Sequence, residues 1–259
     1  MAAPNNTFEL IKDIVKLACI VASLYFVLSA YLQRKQPAWF KFLRNRRFAV
    51  LLLLVSAVTA IKVSEDVLRK ESGPVDELVL QFIHANVPVT LIGFFKAATL
   101  TGSTYVLFPL ATVIVVVLFS ARWRFEAVLL AISVVSGGIV VYVLKTFVGR
   151  TRPVLWDTEW YWGSSFPSGH TLLVAAFATA AVVVVTRIWP ERRILAILIA
   201  AVWVFVVAIS RLVLGVHWPT DVLAAACIGA SLSLTISIAL ELRHARTYLR
   251  SNEVNRELP

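Results

Sequence analysis

Seven apolar stretches of about span length follow one another along the chain, at 14–32, 48–66, 104–120, 125–145, 168–187, 194–212 and 219–240. A hydrocarbon core of about 30 Å takes about 20 apolar residues per helix, with about 17–25 common. The pattern therefore predicts an all-α fold, a polytopic membrane helical bundle. The shortest runs, 194–209 before Ser210 and 171–186 after His170, end in polar residues. Pro109 and the Gly137-Gly138 pair interrupt two runs, which membrane helices tolerate at bends or close contacts. Between the second and third stretches, Val75, Leu78, Val79, Phe82 and Ile83 fall on one helical face, and Gly73-Pro74 suits a helix start. An amphipathic helix on the outer surface is expected there, with His84 solvated at its end. No repeat of 20–50 residues and no separate soluble domain is visible.

Composition agrees. The 259 residues are 59% hydrophobic and 15% charged, with a mean hydropathy of +0.81, whereas a soluble domain carries about 25% charged residues. Gly and Pro, 10 each, exclude a collagenous or low-complexity chain. The net charge of +10 could suggest nucleic acid, but the basic residues sit in short connections between apolar runs. Topology explains them better. Segment 33–47 carries Arg34, Lys35, Lys41, Arg44, Arg46 and Arg47 without an acid. Arg122 and Arg124, then Arg187, Arg192 and Arg193, then Arg243, Arg246 and Arg250 follow at alternate connections. The positive-inside bias makes all four cytoplasmic and turns 67–103, 146–167 and 212–218 outward. The first stretch is read as a seventh span in preference to a signal peptide or a surface-lying helix. Cys19 and Cys227 lie in apolar runs and are expected to be buried small hydrophobes, not a disulfide. No Cys/His spacing suits a metal, and no cofactor is expected.

Three clusters place ionisable groups at predicted span ends. Lys145 with Arg152-Pro153 closes the fourth stretch; alone, such cations snorkel to headgroups. Phe166-Pro167-Ser168-Gly169-His170 opens the next. Ser168 is a natural N-cap, Gly169 admits a ligand close to the backbone, and a helix N-terminus attracts anions. Ser210-Arg211 ends the sixth stretch, and His217-Trp218-Pro219-Thr220-Asp221 opens the last, with His217 and Asp221 four residues apart. A carboxylate at that spacing can reach the imidazole and fix its tautomer. Two spans separate the loop after Lys145 from the loop after Arg211, so both emerge on one face. Three cations, a helix N-terminus and two histidines then share one membrane edge. That combination suits phosphoryl transfer, in which catalysis is mostly positioning and electrostatic stabilisation.

Lys145 with Arg152-Pro153, Pro167-Ser168-Gly169-His170, and Ser210-Arg211 with His217 and Asp221 resemble the three signature motifs of the type 2 phosphatidic acid phosphatase superfamily, which also includes vanadium haloperoxidases. Eleven specified positions match in order and spacing, each with odds of about one in twenty at average composition. The motifs span 145–221, and the six-helix pattern extends the resemblance to 48–240. A first span before residue 33 departs from it. The expected organisation is an N-terminal apolar helix and basic cytoplasmic loop (1–47), a six-helix lipid phosphatase domain (48–240) and a cytoplasmic tail (241–259).

The resemblance implies metal-independent hydrolysis through a phosphohistidine. By it, His217 is the nucleophile oriented by Asp221, and His170 is the general acid. Lys145, Arg152, Ser168, Gly169 and Arg211 hold the phosphate. The implied partner is a lipid phosphate in the cell inner (plasma) membrane, hydrolysed on the periplasmic or outer side: undecaprenyl diphosphate, phosphatidylglycerophosphate or phosphatidic acid, with lipid A as the nearest rival. Trp156, Trp160, Tyr161 and Trp162 are expected at the interface, with Asp157 and Glu159 solvated. A lipid- or anion-binding or transport protein without hydrolysis is the alternative from another class. It would not need His170, His217 and Asp221 together.

Overall fold

The computed structural model describes residues 3–154 and 163–257, and the secondary structure among them is helical. The helices are α1 (Ala3–Lys35), α2 (Pro37–Asn45), α3 (Arg47–Leu68), α4 (Gly73–Asn86), α5 (Ile92–Thr101), α6 (Thr104–Ser120), α7 (Arg124–Val148), α8 (Gly169–Ile188), α9 (Arg193–Val213) and α10 (Pro219–Glu257). The seven apolar stretches correspond to α1, α3, α6, α7, α8, α9 and α10. Six of these are long and apolar enough to cross a membrane, and α6, with 17 residues, is the shorter one.

Segment 67–103 departs from the expected single surface helix. It forms two arms, Gly73–Asn86 and Val89–Thr101, bent by 97°. The apolar stripe of α4 is also only partly covered, with Ile83 packed beside Leu80, Leu212 and Val222. Asp76 and Leu80 are buried, while Val75, Leu78 and Phe82 are exposed. In a membrane protein the apolar face can look outward to lipid, which releases the inward face to carry a charge. Segment 33–47 likewise contains a helix, α2, where a loop was expected.

Helix α8 lies at the centre, packed against α7, α9 and α10. Its buried face is built largely of small residues, Ala175, Ala176, Ala178 and Ala180. Lipid tails are as apolar as leucine, so helix association in a membrane rests on close packing and interhelical hydrogen bonds. Both are visible. A Cβ at Gly229 of α10 would run into the Leu172 carbonyl oxygen of α8, and Gly137 of α7 lies against Leu173 and Ala176. One turn on, the Ser233 hydroxyl donates to the Ala176 carbonyl at 2.8 Å. Leu107, Leu130, Val134, Phe177 and Val207 fill the remaining core. At the N-terminal end of α7, Arg187 bonds Glu126 (2.9 Å) and reaches Glu241 (3.3 Å), which also accepts from Arg46 at 2.6 Å. This clasp joins α7, α8 and α10 to the segment before α3. Cys227 is partly buried, but Cys19 is exposed on α1, against expectation, because little of that helix is covered by the bundle.

Gly229→Ala is expected to destabilise the bundle by about 1–3 kcal/mol, the usual cost of forcing extra volume into a packed contact. A thermal melt in detergent checks it, and an unchanged midpoint would contradict the close α8–α10 approach.

Candidate active site

The three sequence clusters meet at the end of the bundle opposite the Arg187 clasp. Lys145 lies in the last turn of α7. Gly149 then takes the left-handed conformation (φ 63°) that ends the helix, as glycine readily does. The chain beyond is pinned to the α8 segment: Ser165 N donates to the Arg150 carbonyl (2.8 Å), Arg150 N to Ser164 Oγ (2.9 Å), and Lys145 Nζ to the Ser164 carbonyl. The backbone N–H of Ser168 donates to the Asp221 carbonyl at 3.2 Å, tying the start of α8 to α10. The Trp218 indole N–H donates to the Thr151 carbonyl at 2.9 Å.

Ser168 occupies the N-cap position of α8, as expected, but its hydroxyl makes no capping bond to the backbone. It pairs with Thr171 Oγ1 at 3.1 Å instead. The first N–H groups of α8 are thus left uncapped by Ser168, beside Lys145, whose Cε lies 3.9 Å from where a Gly169 Cβ would be. His170, in the first turn, is within electrostatic range of Arg211, His217, Lys145 and Arg152.

His217 sits in the turn before α10 and is 2% exposed. Its Nδ1 lies 3.5 Å from Asp221 Oδ2, and its Nε2 lies 3.5 Å from Arg152 Nη1. Both are long contacts, of the kind that tighten when an active site is occupied. The carboxylate beside Nδ1 favours a proton there and leaves the Nε2 lone pair toward the cations. Arg152 Nη1 donates to the Val216 carbonyl at 2.7 Å, which fixes the guanidinium next to the ring. Burial pushes the imidazole down to about 4; the nearby Asp221 carboxylate opposes this, and Arg211 and Arg152 add to it. Arg211 is 1% exposed and donates to Thr99 Oγ1 of α5 at 2.7 Å.

Every site residue expected from the sequence is therefore gathered here: Lys145, Arg152, Ser168, Gly169, His170, Arg211, His217 and Asp221. Three further residues have no counterpart in that reading. Arg150 Nη1 donates to Asp221 Oδ1, and its Nη2 donates to Asp76 Oδ2 at 2.6 Å. Asp76 in turn accepts from the backbone N–H (2.9 Å) and hydroxyl (2.7 Å) of Thr220. Thr99 is the third. Arg150 reads in sequence as one more snorkelling cation, and Asp76 as an acid in the first turn of a helix, favourable there against the dipole. Because α4 reaches Thr220 and α5 reaches Arg211, both arms of the bent pair touch the same end of the bundle. The aromatic stretch with Trp156, Trp160, Tyr161 and Trp162, together with Asp157 and Glu159, lies outside the described residues. Among the described residues no three His, Cys, Asp or Glu side chains come together to hold a metal ion.

The class so defined is a helical membrane protein with a buried cation-lined site at one end of its bundle and a histidine–aspartate pair at its centre. The chain belongs to the PAP2 superfamily, whose sequence profile matches residues 126–244. It is 41% identical over 96 residues to phosphatidylglycerophosphatase B of Escherichia coli strain K12, covering 37% of this chain and 36% of that protein. It is 30% identical over 169 residues to undecaprenyl-diphosphatase of Sulfolobus acidocaldarius (63% and 77%) and 28% identical over 165 residues to lipid A 1-phosphatase of Rhizobium johnstonii (57% and 64%). The match thus spans about a third of the Escherichia coli protein. The crystal structure of a transmembrane PAP2 phosphatidylglycerolphosphate phosphatase from Bacillus subtilis superposes with a TM-score of 0.63 at 25% identity, over 73% of this chain and 93% of that one.

A histidine whose ordinary value near 6.5 is lowered to about 4 keeps its lone pair through neutral pH and loses it only as pH falls through about 4. The acid limb of kcat/KM arising from His217 is therefore expected below pH 6.5. A pH–rate profile checks this, and a His217 limb at or above 6.5 would contradict the burial described.

Proposed function

We propose that the protein is an integral-membrane lipid phosphate phosphatase working without a metal ion through a phosphohistidine on His217. The observation that carries this reading is the buried His217 held between Asp221 on Nδ1 and Arg152 beside Nε2. In the reaction, His217 Nε2 forms a bond to phosphorus while the bond from phosphorus to the lipid oxygen breaks. His170 donates a proton to that leaving oxygen. Water then attacks phosphorus, giving its proton to His170, and the P–N bond breaks to release phosphate and neutral His217. Asp221 stabilises the positive charge that the imidazole carries in the intermediate. Lys145, Arg152 and Arg211, with the Ser168 hydroxyl and the Gly169 N–H, hold the phosphate oxygens as charge develops.

The substrate is a lipid whose phosphate lies at headgroup level: undecaprenyl diphosphate, phosphatidylglycerophosphate or phosphatidic acid. The first two are supported by the names of the similar proteins from Sulfolobus acidocaldarius and Escherichia coli. Lipid A is a second reading, supported by the likeness to the Rhizobium johnstonii lipid A 1-phosphatase. The catalytic unit is 48–240, with 1–47 and 241–259 outside it. The Lys/Arg-rich connections support a site on the outer side of the inner membrane.

Phosphate release by purified protein in detergent with EDTA, compared across these four lipids, tests the reading. Release that resists EDTA and is abolished in His217→Ala is expected. Asp221→Asn should fold but turn over far more slowly, and Arg152→Ala or Arg211→Ala should cost about 10²–10³ in rate. Release retained by His217→Ala would overturn the mechanism.

A further inference from the structure

The chain of contacts running from α4 to the catalytic end has no part in the mechanism above, and it is the most completely bonded polar cluster at that end. We propose that Arg150 and Asp76 are positioning residues that set the geometry and the charge of Asp221, and through it of His217. The inference rests on the phosphohistidine reading.

Geometry comes first. Asp221 is fully buried, and its two oxygens have different partners. Oδ2 accepts from the Trp218 backbone N–H at 2.9 Å and is the oxygen near His217. Oδ1 accepts from Arg150 Nη1. The carboxylate is therefore held at both oxygens, and its orientation toward the imidazole depends on where Arg150 stands. Arg150 is itself fixed by Thr220 Oγ1 (2.8 Å), Ser72 Oγ (3.1 Å) and Asp76 Oδ2 (2.6 Å). Asp76, also fully buried, is fixed at two further points by the backbone N–H and hydroxyl of Thr220. The planar fork of arginine suits a bridge between two carboxylates, and an ammonium cannot reproduce it.

Charge gives the second argument. An Arg150–Asp221 pair without Asp76 would be neutral, and Asp221 would have little left to offer a cationic imidazole. Asp76 restores the balance. Asp76, Arg150, Asp221 and neutral His217 together carry two negative charges and one positive, net −1. Phosphoryl transfer puts a positive charge on the imidazole and brings this group to zero. The other charged or titratable groups around His217 are Arg152, Arg211, Lys145 and His170; the three cations keep their charge through this exchange, and the proton that His170 gives up goes to the leaving oxygen.

The two residues therefore act on His217 with opposite electrostatic sign but in the same catalytic direction. Removing Arg150 makes the surroundings more negative and raises the proton affinity of His217; removing Asp76 lowers it. Both lower kcat, Arg150→Met by loosening Asp221 and Asp76→Asn by depriving the intermediate of its counter-charge. A residue that merely held the fold would not give this pairing.

The test uses the full-length protein in detergent with phosphatidic acid as probe. Arg150→Met and Asp76→Asn are each expected to lower kcat about 10–100-fold, the range found when partners behind a reactive group are removed, with KM within about threefold. In an Asp221→Asn background the same changes should cost less than about threefold more, because residues acting as a unit are not additive. Thr220→Val, which removes the hydroxyl that touches both Arg150 and Asp76, is a milder variant expected to lower kcat in the same direction. Glu126→Gln at the opposite clasp is the fold control: a lower melting point with unchanged kcat. With only four histidines in the chain, His217 can be followed by labelled-histidine NMR and assigned by its loss in His217→Ala. Its titration is expected to move up in Arg150→Met and down in Asp76→Asn. Full kcat in either variant, a tenfold further loss in the Asp221→Asn background, or titrations moving the same way would overturn the proposal. Wild-type protein that releases no phosphate would instead defeat the phosphatase reading, and the two titrations would still decide the positioning role.

Discussion

A charge buried at the end of an apolar helix bundle must be answered where it sits, because neither lipid nor the neighbouring helices can solvate it. Asp221 is such a charge, and the Arg150 fork between Asp221 and Asp76 is the answer this chain provides. Much of the site end follows from that one contact. Arg150 can stand there only because Gly149 ends α7 with a left-handed turn. Asp76 can stand there only because α4 turns its Asp76–Leu80 side inward and leaves Val75, Leu78 and Phe82 to face outward. The bend between α4 and α5 then brings Thr99 to Arg211, so the bent pair supports two of the charged residues around the site.

The opposite end of the bundle shows the same constraint without the chemistry. Arg46, Arg187, Glu126 and Glu241 form a network in which each acid meets at least one arginine. Arg187 also lies 4.0 Å from the centre of the Phe125 ring. Glu126 is buried in the first turn of α7 and Arg187 is partly exposed, but neither His170 nor His217 is among these groups. The contrast explains why ionisable residues at a membrane edge are a weak sign of function taken singly, and why their company decides.

The spans were legible because their signal is length and hydropathy, which a bilayer imposes on each helix separately. All seven stretches proved helical, and the boundaries of α3, α7, α8 and α9 fall within three residues of those read from the sequence. The gathering of the eight candidate residues at one end of the bundle was legible because motif spacing and alternating topology bring them to one face. Asp76, Arg150 and Thr99 were not. Their roles arise from contacts across 71 to 112 positions, and each has an ordinary local reading. The apolar stripe of α4 was legible but its surroundings were not, since periodicity shows that a helix has two faces and not which of them meets lipid. Cys19 failed for the same reason: an apolar run in a membrane helix marks contact with lipid as readily as burial in protein.

The central claim is that phosphate passes through a covalent bond to the nitrogen of one buried imidazole. The most direct test is to mix the protein with a ³²P-labelled lipid phosphate in EDTA, quench in alkaline denaturant within the first turnover, and locate the label by peptide mapping. A phosphate that survives base, is released by acid and maps to His217 is the predicted result. A protein that turns over substrate with no labelled intermediate at any quench time, or with the label on another residue, would contradict the account.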